Sequence, residues 1–272
     1  MKMNNIITNI ELCKRNKERS NIYIDNEFAF AVSNEIIYKF HLKIKSNIDM
    51  ELIREVVKED NYIKGKETSL RYIERSYKTE NEVRKKLLDK EYEEETIDRV
   101  IEFLRNYNFI NDNEYVERYL KEKLKTYGYK YVYNKLIQKG IDRNIIETLY
   151  ENSNKDDEES GAYELAKNKY KSLIKSEETY LKAYKKLYDF LMRKGYSVNL
   201  VKSIVEDICN KEDFLTDEND NKMKDIAKKK YLKVKDKKKT IMYLISKGYD
   251  FDKVKAVVND LANERWIWEI LI

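Results

Sequence analysis

Leu136-Ile137-Gln138-Lys139-Gly140-Ile141, Leu191-Met192-Arg193-Lys194-Gly195-Tyr196 and Leu244-Ile245-Ser246-Lys247-Gly248-Tyr249 are three versions of one phrase. Leu87-Leu88-Asp89-Lys90-Glu91-Tyr92 is a fourth, with its glycine replaced. Successive copies lie about fifty residues apart, which marks an internal repeat. Five residues past each phrase stands an apolar residue, Ile97, Ile146, Val201 or Val254, and three positions later comes Val100, Leu149, Ile204 or Val257. Leu104, Ile208 and Leu261 add one more turn in three of the copies. That spacing is one face of an amphipathic helix. In each copy, then, a helix ends at the anchor phrase, a short loop turns the chain, and another helix follows.

Gly140, Gly195 and Gly248 occupy the same anchor position, where a helix C-terminus commonly takes a left-handed residue that glycine adopts without strain. They read as caps, not as a phosphate loop. The lysine before each one suits the negative end of the helix dipole. Glu91 departs from the rule, so the first turn closes differently or at a cost. One further helix precedes each anchor, seen in Leu70-Arg71-Tyr72-Ile73, Tyr115–Leu120, Ala162–Ala166 and Ile226–Tyr231. Thr79 with Glu82 forms a capping box opening the second helix of the first unit.

The expected fold is therefore mainly α: tandem three-helix repeats in an elongated array. Its divisions are an N-terminal region 1–66, repeats at 67–110, 111–153 and 160–210, and a fourth at 221–272 that ends in an apolar tail. The acidic stretches Asn154–Glu159 and Lys211–Asp220 read as solvated linkers between units. The tail from Trp266 to Ile272 is expected to fold back over the last unit.

The first thirty-odd residues follow a different grammar. Ile6, Thr8, Ile10 and Leu12 alternate along one strand face, and Ile22 and Ile24 along another. Asp25-Asn26 can take the positive φ of a tight hairpin turn. A small antiparallel β-sheet is expected, followed by helices carrying Ile36, Ile37 and Phe40, then Leu52, Ile53, Val56 and Val57.

Composition agrees with helices. Proline is absent and charged residues make up 39% of the chain, with a net charge of only +5, too balanced for a polyanion mimic or a histone-like tail. The 23 tyrosines, alongside abundant Lys, Asn and Ile, match what an AT-rich genome encodes and need no functional account. No apolar run approaches the roughly 20 residues that span a bilayer, and no signal-peptide layout is visible, so a cytoplasmic location is expected. Cys13 and Cys209 are too far apart in sequence for a metal-binding spacing, and are expected as reduced thiols.

Catalytic chemistry finds no foothold. His41 is the single histidine, expected in a helix beside Phe40, and His-based triads and His-rich metal sites fall with it. No GxxxxGK[ST] or GxGxxG motif occurs. No enzyme activity, cofactor or metal is expected.

Binding remains. Arg118, Lys121 and Lys125 recur at helical spacing opposite Val116, Tyr119, Leu120 and Leu124. Such a stripe reads either as a solvated face or as a contact for an acidic partner. Between Lys222 and Lys239 ten lysines, Lys228, Lys229 and Lys230 among them, face only Asp225 and Asp236. Around the first repeat Arg71, Arg75, Lys78, Arg84 and Lys85 join the candidate contacts, and Lys130 joins them in the second. Phosphate contacts by such groups would be steeply salt-dependent, and no motif predicts reading of base edges.

The repeats resemble the RecX family over nearly the whole chain. Ile10–Lys17, Asn21–Asp25 and Glu27–Ser33 are similar to the N-terminal region of the long RecX forms of low-GC Gram-positive bacteria. Lys90-Glu91-Tyr92, Lys139-Gly140-Ile141 and Lys194-Gly195-Tyr196 look like the family's KEY, KGI and KGF-like anchors, and Asp112, Tyr115 and Val116 resemble its D-x-x-F-A pattern. Two patterns depart. R-x-R-S falls on Ser76-Tyr77-Lys78-Thr79, and G-P-x-x-I-x-x-E-L falls on Gly128–Leu136 without its proline and glutamate. The resemblance implies a regulator that binds RecA nucleoprotein filaments and modulates, usually inhibits, their ATPase and strand exchange. A monomer is expected, with single- or double-stranded DNA as a further partner. A helical-repeat DNA-binding protein acting without RecA is the alternative.

Overall fold

In a computed structural model of the chain, residues 5–177 and 179–270 are described, with side chains as far as Asn263. They fall into two compact bodies: the chain up to Val116 with Leu136–Glu147, and Glu117–Lys135 with the chain from Thr148 onward.

The first body opens with β1 (Ile7–Leu12), β2 (Arg19–Ile24) and β3 (Glu27–Ser33), an antiparallel sheet in the order β1-β2-β3. Asp25 (φ 48°) and Asn26 (φ 67°) make the hairpin turn, as their chemistry requires. The face of β1 differs from simple alternation. Ile7 pairs with Ile24 but Asn9 with Tyr23, so Thr8 is an extra residue. That bulge turns Ile7 into the core and leaves Leu12 52% exposed. The Thr8 hydroxyl holds the bulge by donating to the Tyr23 carbonyl and accepting from the Asn26 amide.

Two helices close over the sheet, α1 (Asn34–Lys39) and α2 (Met50–Glu74). Ile7, Ile22, Val32, Ile36, Ile48 and Val56 form the buried center of this region. His41 lies beyond α1, not within it: with φ 51° it is exposed in the left-handed turn that ends the helix. Helix α2 runs unbroken through residue 66, where the sequence suggested a division. Gly65 does not interrupt it, because a Cβ there would stand 3.0 Å from Val100 Cγ2 and the missing side chain lets helices pack closely.

Asp60 on α2 is buried and ties helix to sheet. Arg19 donates to both its oxygens at 3.1 and 2.8 Å, the Ser33 amide donates at 2.8 Å, and Lys64 lies 2.8 Å away. Burial would raise this carboxyl, but the hydrogen bonds from Arg19, Lys64 and Ser33 overrule it and hold the group below its ordinary value.

The C-terminal half of α2 then serves as the first helix of a three-helix group with α3 (Glu80–Leu88) and α4 (Glu94–Asn106). The Thr79–Glu82 capping box opens α3, and Glu93–Glu95 sit at the N-terminus of α4 where its dipole favors them. Val83, Leu87, Ile97, Val100, Ile101 and Leu104 are fully buried, each stabilizing the group by about 1.5–3 kcal/mol. Helices α5 (Asp112–Lys123), α6 (Tyr129–Gln138) and α7 (Arg143–Glu151) follow, divided between the two bodies.

The second body contains two further groups, α8 (Asp156–Ser176), α9 (Tyr180–Arg193) and α10 (Val198–Ile208), then α11 (Asp217–Val234), α12 (Lys237–Ser246) and α13 (Phe251–Ile270). Each encloses its own core: Ala166, Leu187, Leu191, Val201 and Val205 in one, Met223, Ala227, Leu244, Val254 and Val258 in the other. The acidic stretch Asn154–Glu159 is not a linker throughout. Helix α8 begins inside it, and Glu158 is buried, accepting from the Tyr129 amide at 2.8 Å and the Tyr150 hydroxyl at 2.7 Å. Likewise Lys211–Asp220 holds a short 3-10 turn and the first residues of α11. The side chains of the tail residues Trp266 and Trp268 lie outside the described part. Cys13 and Cys209 are free.

Candidate partner and nucleic-acid interface

Gly140, Gly195 and Gly248 have φ values of 81°, 89° and 93°, so each ends its helix in the left-handed conformation. Each anchor also seats against the start of the second helix of the preceding group. The Thr79 hydroxyl donates to the Lys139 carbonyl at 2.9 Å, and Asn81 Nδ2 donates to the same oxygen at 3.1 Å. The Gly128 amide donates to the Lys194 carbonyl at 3.0 Å and the Lys130 amide to the Gly195 carbonyl at 3.2 Å. The Thr179 hydroxyl donates to the Lys247 carbonyl at 3.1 Å.

All three joints bring an anchor carbonyl oxygen to the positive N-terminal end of a helix; side chains donate to it at the first and third, and backbone amides donate at the second. The approach is close enough that a side chain at the anchor would collide: a Cβ on Gly195 would stand 2.5 Å from the Tyr131 nitrogen, and one on Gly140 2.1 Å from Asn81 Nδ2. Lysine side chains finish two of the joints. Lys139 pairs with Glu82 at 2.7 Å, and the Lys194 ammonium lies 4.3 Å from the center of the Tyr127 ring. Burial would lower Lys139, but the hydrogen bond to Glu82 raises it above its ordinary value.

Glu91 now has an explanation. It holds the same turn with φ 61°, but no three-helix group precedes its anchor. The left-handed conformation costs a non-glycine residue about 1 kcal/mol and nothing presses against its side chain, which is exposed.

Among the candidate basic residues of the first body, several are already engaged. Arg84 donates to Glu80 at 2.9 Å and to Asp98 at 2.7 Å; burial would lower it, but these two carboxylates raise it above its ordinary value. Arg105 also binds Glu80, whose amide caps onto Asp112. Arg71 folds back on Glu67, and Lys78 lies 4.7 Å from the center of the Tyr72 ring. Arg75 and Lys85 are exposed and in no ion pair among the described residues.

In the second body Arg118, Lys121, Lys125 and Lys130 are all exposed. Lys125 departs from the expected stripe: α5 ends at Lys123, and Lys125 lies in the following turn. The backbone there meets α8, where a Cβ on Gly161 would stand only 2.4 Å from the Lys125 carbonyl oxygen, so the chain turns against a neighboring helix. Lys121, Lys125 and Lys130 make no ion pair among the described residues. Lys228 and Lys229 are exposed on α11, and Lys230 lies 4.4 Å from the center of the Tyr243 ring. Sequence reasoning missed Asp60, Glu158 and the Lys139–Glu82 pair, whose partners stand far away along the chain.

Among the described residues no cluster of His, Cys, Asp or Glu could hold a metal ion, and no helix is long and apolar enough to cross a membrane.

Comparison with known proteins places these features. Residues 5–49 match the regulatory protein RecX N-terminal domain, residues 66–104 the first RecX three-helix domain, and residues 156–205 the third. Regulatory protein RecX of Clostridium perfringens (strain 13 / Type A) is 44% identical over 206 residues, covering 76% of this chain and 97% of that relative. The Clostridium tetani protein of the same name is 45% identical over 201 residues, covering 74% and 93%. A crystal structure of regulatory protein RecX superposes with a TM-score of 0.59 at 26% identity, covering 74% of this chain and 98% of that one. A crystal structure of RecX from Lactobacillus salivarius gives a TM-score of 0.51 at 27% identity, covering 55% and 97%. Sheet, three-helix groups and sequence agree, and the chain belongs to the RecX family of regulatory proteins.

Proposed function

We propose that this protein is a non-enzymatic regulator of the RecA recombinase that binds the RecA–DNA filament and mostly inhibits its ATPase and strand exchange in recombinational repair and the SOS response. It acts as a cytoplasmic monomer, with the repeats as successive contact elements and DNA as a secondary partner. The observation that carries this reading is the repeated anchor joint in a chain of the RecX family. One docking geometry, used three times, makes a series of similar faces, which suits a partner that is itself a helical polymer. Arg75, Lys85, Lys121, Lys125, Lys130, Lys228 and Lys229, uncommitted to acidic neighbors, are the side chains best suited to acidic RecA loops or filament DNA.

The test is ATP hydrolysis by the cognate RecA on single-stranded DNA, titrated with this protein at two salt concentrations. Suppression at amounts well below RecA supports the regulator. No effect, together with salt-sensitive binding to bare DNA, would replace it with a stand-alone helical-repeat DNA-binding protein, the reading that the lysine-rich segment from Lys222 to Lys239 favors.

A further inference from the structure

The group α11–α13 lies beyond the family domains that match this chain. The C. perfringens protein aligns over 206 residues, 97% of its own length but 76% of this chain, and the matched family domains reach only from residue 5 to residue 205. The added group is no loose appendage, for the Thr179 hydroxyl donates to the Lys247 carbonyl, and the same kind of joint ties the earlier groups.

Its charge is unlike that of the rest. Of the ten lysines from Lys222 to Lys239, Lys222 pairs with Glu218 and Lys230 covers Tyr243. Lys224, Lys228, Lys229, Lys233, Lys235, Lys237, Lys238 and Lys239 are exposed and make no ion pair among the described residues. In the first body, by contrast, Arg84, Arg99, Arg105 and Lys139 all sit on carboxylates.

The placement also works against the fold. Lys237, Lys238 and Lys239 fill the first turn of α12, which holds no acidic residue, at the end of the helix where the dipole repels cations. The Asp236 carboxylate, just before this turn, accepts from the Lys239 amide as the helix cap. Lys235, just before it, takes the left-handed conformation (φ 52°). Among the described residues none of Lys233, Lys235, Lys237, Lys238 and Lys239 has a carboxylate in ion-pair contact.

We propose that the group α11–α13 is an added grip for the phosphate backbone of DNA, centered on Lys233, Lys235, Lys237, Lys238 and Lys239. A bilayer fits less well, because Met223 and Ala227 of α11 are consumed in the core, and the exposed Leu232 and Met242 beside the lysines are single side chains on two helices, short of the broad apolar face that enters a membrane. The grip deepens the DNA contact of the proposed function but does not depend on RecA.

The experiment is fluorescence anisotropy of a labeled DNA duplex with the full chain, without RecA, across about 50–200 mM salt. The triple variant Lys237→Gln/Lys238→Gln/Lys239→Gln is expected to lower the slope of log K against log salt by about 2–3, close to 0.9 per lost phosphate contact. Its melting temperature should equal or exceed the parent's, since repulsion at the helix end is relieved. An unchanged slope overturns the proposal. So does parent binding to phosphatidylserine–phosphatidylcholine vesicles as tight as to the duplex and equally sensitive to the triple variant. Because RecA is absent from the assay, failure here leaves the regulator reading standing, and failure of the ATPase titration leaves this one untouched.

Discussion

Gly195→Ala is the sharpest test of the joint. At φ 89° an alanine gives up about 1 kcal/mol to the left-handed conformation alone. Its Cβ would also meet the Tyr131 nitrogen at 2.5 Å and the Tyr131 Cβ at 2.7 Å, and these cannot rotate away as the far end of a flexible side chain could. The joint must open, forfeiting the hydrogen bonds from the Gly128 and Lys130 amides, each a net of about 0.5–1.5 kcal/mol. The expected cost is roughly 2–4 kcal/mol. Gly248→Ala makes the control: φ is nearly the same, but the nearest atoms, Leu181 Cβ and the Thr179 hydroxyl, stand at 3.0 Å, so about 1–2 kcal/mol is expected. Urea denaturation followed by far-ultraviolet circular dichroism measures both, and hydrogen exchange should show the Gly128 and Lys130 amides losing protection in the first variant only. Equal costs for the two substitutions, or a Gly195→Ala cost below about 1 kcal/mol, would mean that glycine serves here only as a helix cap.

Three other outcomes follow from single contacts. Asp60→Asn should destabilize the first body by about 3–5 kcal/mol, since Arg19 and Lys64 lose a buried counter-charge. Because the folded Asp60 carboxyl is depressed, its contribution is whole at neutral pH and fades as pH falls below the ordinary 3.8 and on through the folded value; thermal melts in acid should show this in the parent and not in the variant. Tyr196→Phe should be neutral or stabilizing by up to about 1 kcal/mol, because the Tyr196 hydroxyl is buried with no hydrogen-bond partner among the described residues; a loss above about 1 kcal/mol in urea melts would reveal a partner. Burial pushes the Cys209 thiol up to about 11, so at neutral pH it should react with a thiol reagent only when the native fold opens, with a rate that rises with added urea.

What could be read from the sequence was what neighbors along the chain decide. The anchors, the left-handed glycines, the Thr79–Glu82 box and the Asp25-Asn26 turn each depend on residues within a few positions, and all appear in the structure. The bulge at Thr8 was hidden because it depends on pairing with Tyr23 across the sheet. Glu158 looked like one acid among several, and only the approach of Tyr129 and Tyr150 buries it. Basic residues on an expected contact surface were likewise legible as charges but not as free charges. Arg84 and Lys85 are adjacent in sequence, yet one is held by Glu80 and Asp98 while the other is exposed without an ion pair.

The contrast between Glu91 and the three anchor glycines amounts to a growth rule. The start of the second helix in an existing group is already the socket, and the plug travels with whatever group comes next. A copy added at the C-terminal end therefore brings its own fitting and asks nothing new of the groups before it. A copy inserted ahead of the first group would abut Glu91, and would need that residue rewritten as glycine before it could seat. A chain built on this rule lengthens in one direction, which is how a fourth group could join three without disturbing them.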